Sequence, residues 1–332
     1  MLTWLLWICI GIKIYLLDPM AYPDYAQPLL PFLKRYVNPM LLAQKLFEIL
    51  FPILAMVGVG YLYGRRHQPD MALVNRISID VFIPALIFDV LSRQTPDLVT
   101  YRWMALAALL IVLISGLLAW PVARWGGYAW KTFVPPMMFT NSGNMGIPLA
   151  VLAFGEEALP AAIILFMVEN TLHFTLGSWM LNAKAGIAAL LRSPIILSSI
   201  AGLLFSIQGW QLPHGVALPI TMLGQVAIPL MLFSLGVRLT SMDLSHWRIG
   251  LLSGIVSPLS GLLALLMVMP FIPLPENHLA YLILFAVLPP AVLNYMMAER
   301  FDQEPKQVAA MVLMGNLASV VSMPLALLYI LK

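Results

Sequence analysis

Phe139-Thr140-Asn141-Ser142-Gly143-Asn144-Met145-Gly146-Ile147-Pro148 occupies the middle of an apolar run from about Thr132 to Phe154. The run is long enough to cross a bilayer core, which takes about 20 helical residues. Its centre nevertheless holds two asparagines, a serine, two glycines and a proline between Asn141 and Pro148. Glycine is conformationally permissive and Pro148 has no N–H, so the carbonyl of Asn144 loses its helical partner. The pattern predicts a helix that enters the membrane, unwinds near the middle, and restarts with Pro148 in its first turn, where the fixed φ is already helical. Backbone unwound at that depth is buried in protein or lines a watery cavity. A kinked helix with polar packing is the plainer alternative, and a lone Gly or Pro would mean no more than that. Six such residues close together favour a functional break.

The composition around this run is that of a polytopic membrane protein. Of 332 residues 61% are hydrophobic and 10% charged, whereas soluble domains carry about 25% charged residues. The formal net charge of +3 sits in loops between apolar runs and does not point to nucleic acid. Cys9 is the single cysteine, which excludes an intrachain disulfide and a cysteine metal site. The N-terminus lacks a basic start and a small-residue cleavage site, so no cleavable targeting segment is expected. No polar stretch exceeds a short loop, so no soluble domain is expected either.

Met1–Leu17 is apolar but interrupted by Lys13, and is read as an extra crossing helix, an interfacial helix or an upstream extension, with Met40 as an alternative start. Asp18–Pro39 is a Pro- and Tyr-rich connector, and residues 1–43 together form an N-terminal extension. Ten spans follow, at about Gln44–Tyr63, Asn75–Leu91, Tyr101–Ala123, Thr132–Phe154, Ala158–Leu181, Pro194–Trp210, Pro219–Leu239, Trp247–Phe271, Leu279–Arg300 and Lys306–Leu331. The second five echo the first five. Pro52 and Gly60 of span 1 match Pro194 and Gly202 of span 6. Val81-Phe82-Ile83-Pro84-Ala85-Leu86-Ile87-Phe88, with Arg93 beyond, matches Val226-Ala227-Ile228-Pro229-Leu230-Met231-Leu232-Phe233, with Arg238 beyond. Asn170 matches Asn316. The offsets are 142, 145 and 146. The chain therefore reads as a five-span repeat at 44–181, a linker at 182–193 and a second repeat at 194–332. An odd number of spans per repeat inverts one half relative to the other, as in many secondary transporters.

Span 9 is then the partner of span 4, and its midpoint carries Pro289-Pro290, which cannot donate to the carbonyls of Phe285 and Ala286. Broken helices in corresponding positions of two halves point to a transport site. Loop charges set the orientation. The loops on one side hold 11 Lys and Arg and those on the other 6, so the first side is cytoplasmic and span 1 starts outside.

Asn141-Ser142-Gly143-Asn144-Met145-Gly146-Ile147-Pro148 resembles the Asn-x-Gly-Asn-x-Gly-x-Pro signature of the auxin efflux carrier family, which includes plant auxin exporters and bacterial organic-acid permeases. Ile83-Pro84-Ala85-Leu86-Ile87-Phe88, Pro289-Pro290 and the ten-span layout match as well, so the resemblance covers about Leu41 to Leu331. It implies a fold similar to bile-acid symporters and sodium–proton antiporters. Spans 1, 2, 6 and 7 would be scaffold, and spans 3–5 and 8–10 a mobile, elevator-type transport part in which helices 4 and 9 cross. Met1–Pro39 has no counterpart in the family pattern. The short Asn182–Ser193 segment, in place of the long hydrophilic loop of plant exporters, points to a bacterial member.

The substrate site is expected at Asn141, Ser142, Gly143, Asn144, Gly146 and Pro148 of span 4 and at Pro289, Pro290 and Asn294 of span 9. Two broken helices crossing at mid-membrane aim the N-termini of their second halves at a common point, each offering free N–H groups and about half a positive charge. That suits an anion. Neither Phe139–Pro148 nor Leu288–Asn294 contains Asp or Glu, which argues against a principal Na⁺ or H⁺ substrate. No Lys or Arg is expected deep in a span, which leans toward a monoanion or a weakly held dicarboxylate. Glu169 and His173, four apart on one face of span 5, are either proton-coupling residues or a pair that locks span 5 to a neighbour. Asp80 and Asp89 are read as partners of Arg76 and Arg93, and Met137, Met138 and the methionines of span 10 as packing.

The expected protein is a multi-pass carrier of small carboxylates in the cell membrane, without cofactor or metal. Its candidate partners are the organic anion, the lipid bilayer and a second copy through the scaffold helices; nucleic acid is not among them. A sodium-coupled organic-anion symporter is the nearest alternative. A membrane-integral enzyme or sensor is the remoter one, since no His-Glu-x-x-His zinc motif, no Gly-x-Gly-Asp motif and no P-loop is present.

Overall fold

The structure, a computed structural model, describes residues 39–93, 98–182, 193–241 and 245–331. Met1–Leu17, the connector up to residue 38, and residues 183–192 of the linker lie outside the described residues. Among the described residues regular structure is helical throughout, with one isolated β-bridge.

α1 is Pro39–His67. α2 (Met71–Ile77) and α3 (Ile83–Arg93) are joined by a π turn at Ser78–Phe82. α4 is Leu98–Trp125. α5 (Trp130–Met138) and α6 (Ile147–Phe154) are two halves of an interrupted helix, with a second π turn at Ser142–Gly146 leading into α6. α7 (Leu159–Leu172) runs through a third π turn, His173–Gly177, into α8 (Ser178–Leu181). α9 is Pro194–Gln208, α10 His214–Arg238 and α11 Trp247–Val268. α12 (Glu276–Ala286) and α13 (Val292–Arg300) form the second interrupted helix, and α14 is Pro305–Ile330.

Two of the π turns have the same local cause. Each directly precedes an Ile-Pro pair, Ile83-Pro84 or Ile147-Pro148. The proline cannot donate to the carbonyl four residues back. The isoleucine N–H instead reaches five residues back, to Ser78 O or Ser142 O. Helical geometry consequently resumes at Ser142, earlier than the restart around Pro148 that the sequence suggested. The true interruption is Phe139–Asn141.

Among the described residues six helices are long and apolar enough to cross a membrane: Gln44–His67, Tyr101–Trp125, Glu156–Leu181, His214–Arg238, Trp247–Phe271 and Pro305–Ile330. Shorter apolar helices at Ser142–Phe154 and Pro194–Gln208 accompany them. Leu62, Leu117 and Val321 on the long helices are largely exposed, as lipid-facing side chains must be. Trp125, Trp130, Trp179, Trp210 and Trp247 are exposed near helix ends, where aromatic rings favour the membrane interface. The protein is an all-helical, polytopic membrane protein.

Packing falls into two sets. α1 packs along α10, and α9 along α3, which also meets α10. α11 packs on α4 and on α14, with α5 and α7 against α4 and α13 against α14. Glycines set the closest approaches within these sets. A Cβ on Gly60 of α1 would collide with the Phe233 carbonyl and sit 3.1 Å from Phe233 Cα on α10. A Cβ on Gly202 of α9 would sit 2.9 Å from Leu91 Cβ and 3.4 Å from Phe88 Cα on α3. Gly60 and Gly202 are matched positions in the sequence, and so are Phe233 and Phe88; the two contacts are reciprocal. A second such couple joins the other set. Gly116 of α4 abuts Met138, the last residue of α5, and Gly261 of α11 abuts Ala286, the last residue of α12.

Candidate functional site

The two interruptions meet. After Phe139 N–H closes the last turn of α5 on Pro135 O, Phe139 turns to an extended conformation. In the other helix Pro289 and Pro290 bring no N–H to the pairing, and Ala291 is extended. Thr140 and Pro290 then form an antiparallel bridge. Asn141 N–H donates to Pro289 O at 2.6 Å and Ala291 N–H to Phe139 O at 2.9 Å. The carbonyls of Pro289 and Phe139, at the breaks, are thus satisfied across the crossing.

Side-chain amides complete the joint. Asn294 Nδ2 donates to Phe139 O at 2.8 Å and to Ala291 O at 3.0 Å. Asn316 Nδ2, from α14, donates to Pro290 O at 3.1 Å and to Val312 O at 2.6 Å, while its Oδ1 accepts from Asn141 Nδ2 at 2.9 Å. His173 stacks on Phe139 with ring centroids 4.2 Å apart and planes within 8°. A Cβ on Gly177 would come within 2.9 Å of the same Phe139 ring.

Beside the crossing is a cavity of about 110 Å³, room for several waters or one small ion. Thr140, Asn141, Ser142, Gly143 and Asn144 line one wall, joined by Ala291, Val292 and Leu293. The first-turn N–H groups of Ser142, Gly143 and Asn144, and those of Val292 and Leu293, have no partner within their own helices. Two helix N-termini therefore open on one space. Glu169, Asn170 and His173 of the α7–α8 helix line it as well, and so do Asn75 and Ser78 with Ser234 and Arg238 from the other packed set of helices.

Of the residues expected to hold a substrate, Asn141, Ser142, Gly143 and Asn144 line this cavity. Gly146 instead lines, with Ser142, a second and smaller apolar cavity. Pro148 is buried in the first turn of α6. Pro289, Pro290 and Asn294 lie outside the cavity lining and hold the joint together. Glu169 and His173 are both buried at the crossing, but they do not pair with each other. Glu169 accepts from Thr140 Oγ1 at 3.1 Å, next to Ser142, and His173 lies on Phe139 beside Asn294.

The broken segments contain no acid, and Glu169 of α7 brings a carboxyl group to Thr140 beside them. Arg238, the last residue of α10, also lines the cavity. Asn170 was visible only as a mark of the repeat. Its Nδ2 is buried without a partner, and it lines the cavity, whereas its counterpart Asn316 is fully engaged. An asparagine directly after Glu169 in an apolar helix was the available signal. Asp80 and Asp89 make the expected ion pairs, with Arg76 at 3.6 Å and Arg93 at 2.8 Å. Among the described residues no cluster of three or more His, Cys, Asp or Glu is placed to hold a metal ion.

Apolar crossing helices around a polar, mid-helix cavity are the architecture of a membrane transporter. The chain belongs to the membrane transport protein family, which matches residues 45–190 and 181–327, the auxin efflux carrier group that its central stretch resembles. It is 30% identical over 299 residues, 84% of this chain and 96% of the relative, to a transporter of Methanothermobacter thermautotrophicus described as uncharacterized. It is 26% identical over 317 residues, 86% of this chain and 95% of the relative, to a Rhizobium meliloti protein described as a candidate malonate transporter. The protein is a multi-pass membrane transporter and not an enzyme.

Proposed function

We propose that the protein is a secondary carrier of small organic anions, which bind in the cavity where the two interrupted helices cross. The observation that carries this reading is the pair of helix N-termini opening on one small space lined by Asn141, Asn144 and Asn170. Free N–H groups and the positive ends of helix dipoles favour an anion. Neutral amides hold a carboxylate without the grip of a full counter-charge, so that it can be released. The relative described as a candidate malonate transporter accords with a carboxylate substrate.

In this reading the helices form ten membrane spans in two inverted repeats. The reciprocal contacts Gly60–Phe233 and Gly202–Phe88, and Gly116–Met138 and Gly261–Ala286, support it. α1, α2–α3, α9 and α10 are the scaffold, and the remaining helices an elevator-type moving part. The cavity lies between these two bodies. Its scaffold lining comes from the end of α2 and the π turn after it, from Ile195 at the start of α9 and from the end of α10, toward the side that the loop charges make cytoplasmic. Single cysteines at Gly155 and Glu276, in a Cys9→Ser background, should then react with an impermeant maleimide in intact cells, and one at His67 only after permeabilisation. Equal labelling of all three would reject the orientation.

Glu169 is the proposed proton carrier, with His173 positioning the crossing through Phe139. An anion about 4 Å from a charged Glu169 is repelled by about 4 kcal/mol at an effective dielectric of 20. A proton on Glu169 removes that repulsion, so anion and proton travel together. Counterflow of labelled malonate in proteoliposomes tests the function. Uptake that accelerates with internal carboxylate and with an inward proton gradient is the expected result. Uptake that requires sodium would favour a sodium-coupled symporter, and no counterflow with any carboxylate would reject the carrier.

A further inference from the structure

We infer that Arg238 anchors the transported anion from the end of α10, and so sets which carboxylates the cavity prefers. The inference rests on the anion-carrier reading above and adds to it a selectivity residue. Arg238 is the last residue of α10, at the carbonyl end of the helix, where a cation is favoured. It lines the same cavity as Asn141 and Asn144 but belongs to the other packed set of helices. A guanidinium presents a planar fork of donors that matches a carboxylate with two parallel hydrogen bonds.

Comparison with the matched position in the first half sharpens the argument. Arg93 occupies the place of Arg238 in the repeat, and four residues before it stands Asp89, which it holds at 2.8 Å. Arg93 also donates to Thr221, whose hydroxyl donates to Asp89 at 2.9 Å. The corresponding residue before Arg238 is Ser234, and Ser234 lines the cavity. The second half thus keeps the arginine and places a neutral hydroxyl where the first half has a carboxylate. An acid at that place would repel an incoming anion, whereas a serine donates to it.

The amide-lined crossing and Arg238 are two anchors that different packed sets of helices contribute to one space of about 110 Å³. One carboxylate can engage one anchor. A short anion with acceptors at both ends can engage both, and gains the second contact only if Arg238 is present.

The test uses the full-length purified protein with malonate and acetate as probes, at a pH well above the carboxylate range. R238Q should weaken malonate binding about tenfold or more, the loss of one charged contact, and acetate binding by much less. R238K should restore most of the malonate affinity. R93Q, which alters an arginine outside the cavity lining, should leave both probes unchanged. Unaltered malonate binding in R238Q overturns the inference, and so does an equal loss of both probes, which would mark a structural role. If wild-type protein binds neither probe, the anion-carrier reading falls together with this one. If Asn144→Ala weakens both probes while R238Q weakens neither, only the assignment of Arg238 falls.

Discussion

The Thr140 hydroxyl, at the residue where the two interrupted helices bridge, donates to the Glu169 carboxyl group at 3.1 Å. The state of an acid on α7 is thereby joined to the backbone that shapes the cavity. Glu169→Gln keeps the shape and an acceptor for Thr140 but cannot carry a proton. It should flatten the pH dependence of net uptake while leaving exchange of bound substrate largely intact. Lower yield and thermal stability with an unchanged pH profile would instead assign Glu169 a structural role.

Asn144 faces the cavity in which Glu169 already stands. Asn144→Ala removes hydrogen bonds to a charged group, worth about 1.5–3 kcal/mol, and should weaken carboxylate binding by tens-fold. Asn144→Asp adds a charge that opposes the substrate by about 4 kcal/mol at 4 Å and a dielectric of 20. It should abolish binding at alkaline pH and recover partly at acid pH, where the Ala variant should not. Wild-type affinity of the Asp variant at alkaline pH would place the anion elsewhere.

Asn316 ties three elements with one amide: Asn141, Pro290 O and its own helix at Val312 O. Asn316→Ala leaves the buried Pro290 carbonyl without that donor. An unsatisfied buried group costs about 1–3 kcal/mol, so the thermal transition of the purified variant should fall clearly. Asn170→Ala, at the matched position with a partnerless Nδ2, should change stability little and substrate binding more. Equal destabilisation by the two substitutions would contradict the division between joint and cavity.

The reciprocal glycine contacts make a test of the repeat that needs no substrate. Gly60→Ala drives a methyl group into the Phe233 carbonyl, and Gly202→Ala drives one against Leu91. Overpacking costs about 1–3 kcal/mol, and neither contact can be relieved by a rotamer of the new side chain. Both variants should lose stability in detergent. Gly58→Ala, with no atom within 4 Å of the added carbon, should be neutral or gain up to about 1 kcal/mol from helix propensity.

The break and its proline-paired partner were legible because each depends on local chain chemistry. Asn141–Pro148 cannot be a plain helix, and Pro289-Pro290 cannot close one. The point of restart was not legible, because the π turn at Ser142–Gly146 bypasses the missing Pro148 N–H in a way that residue propensity does not register. Glu169 stood out in the sequence as a charged residue inside a span, but its place at the crossing, like that of Arg238, was not legible there. Each lies far along the chain from the break, Glu169 29 residues beyond Thr140, and only packing shows which wall of the cavity it occupies. Arg238 ends its span as a loop charge would, yet it lines the cavity.

The bridge between Thr140 and Pro290 is made by main-chain atoms: an N–H of Asn141, a carbonyl of Pro289, an N–H of Ala291 and a carbonyl of Phe139. Such a crossing is indifferent to most of the side chains displayed around it. Asn144, Asn170, Ser234 and Arg238 can therefore be exchanged over evolutionary time, or by design, without redrawing the frame that presents them. On the carrier reading proposed above, cargo is a property of the walls of one small chamber, separable from the joint that frames it.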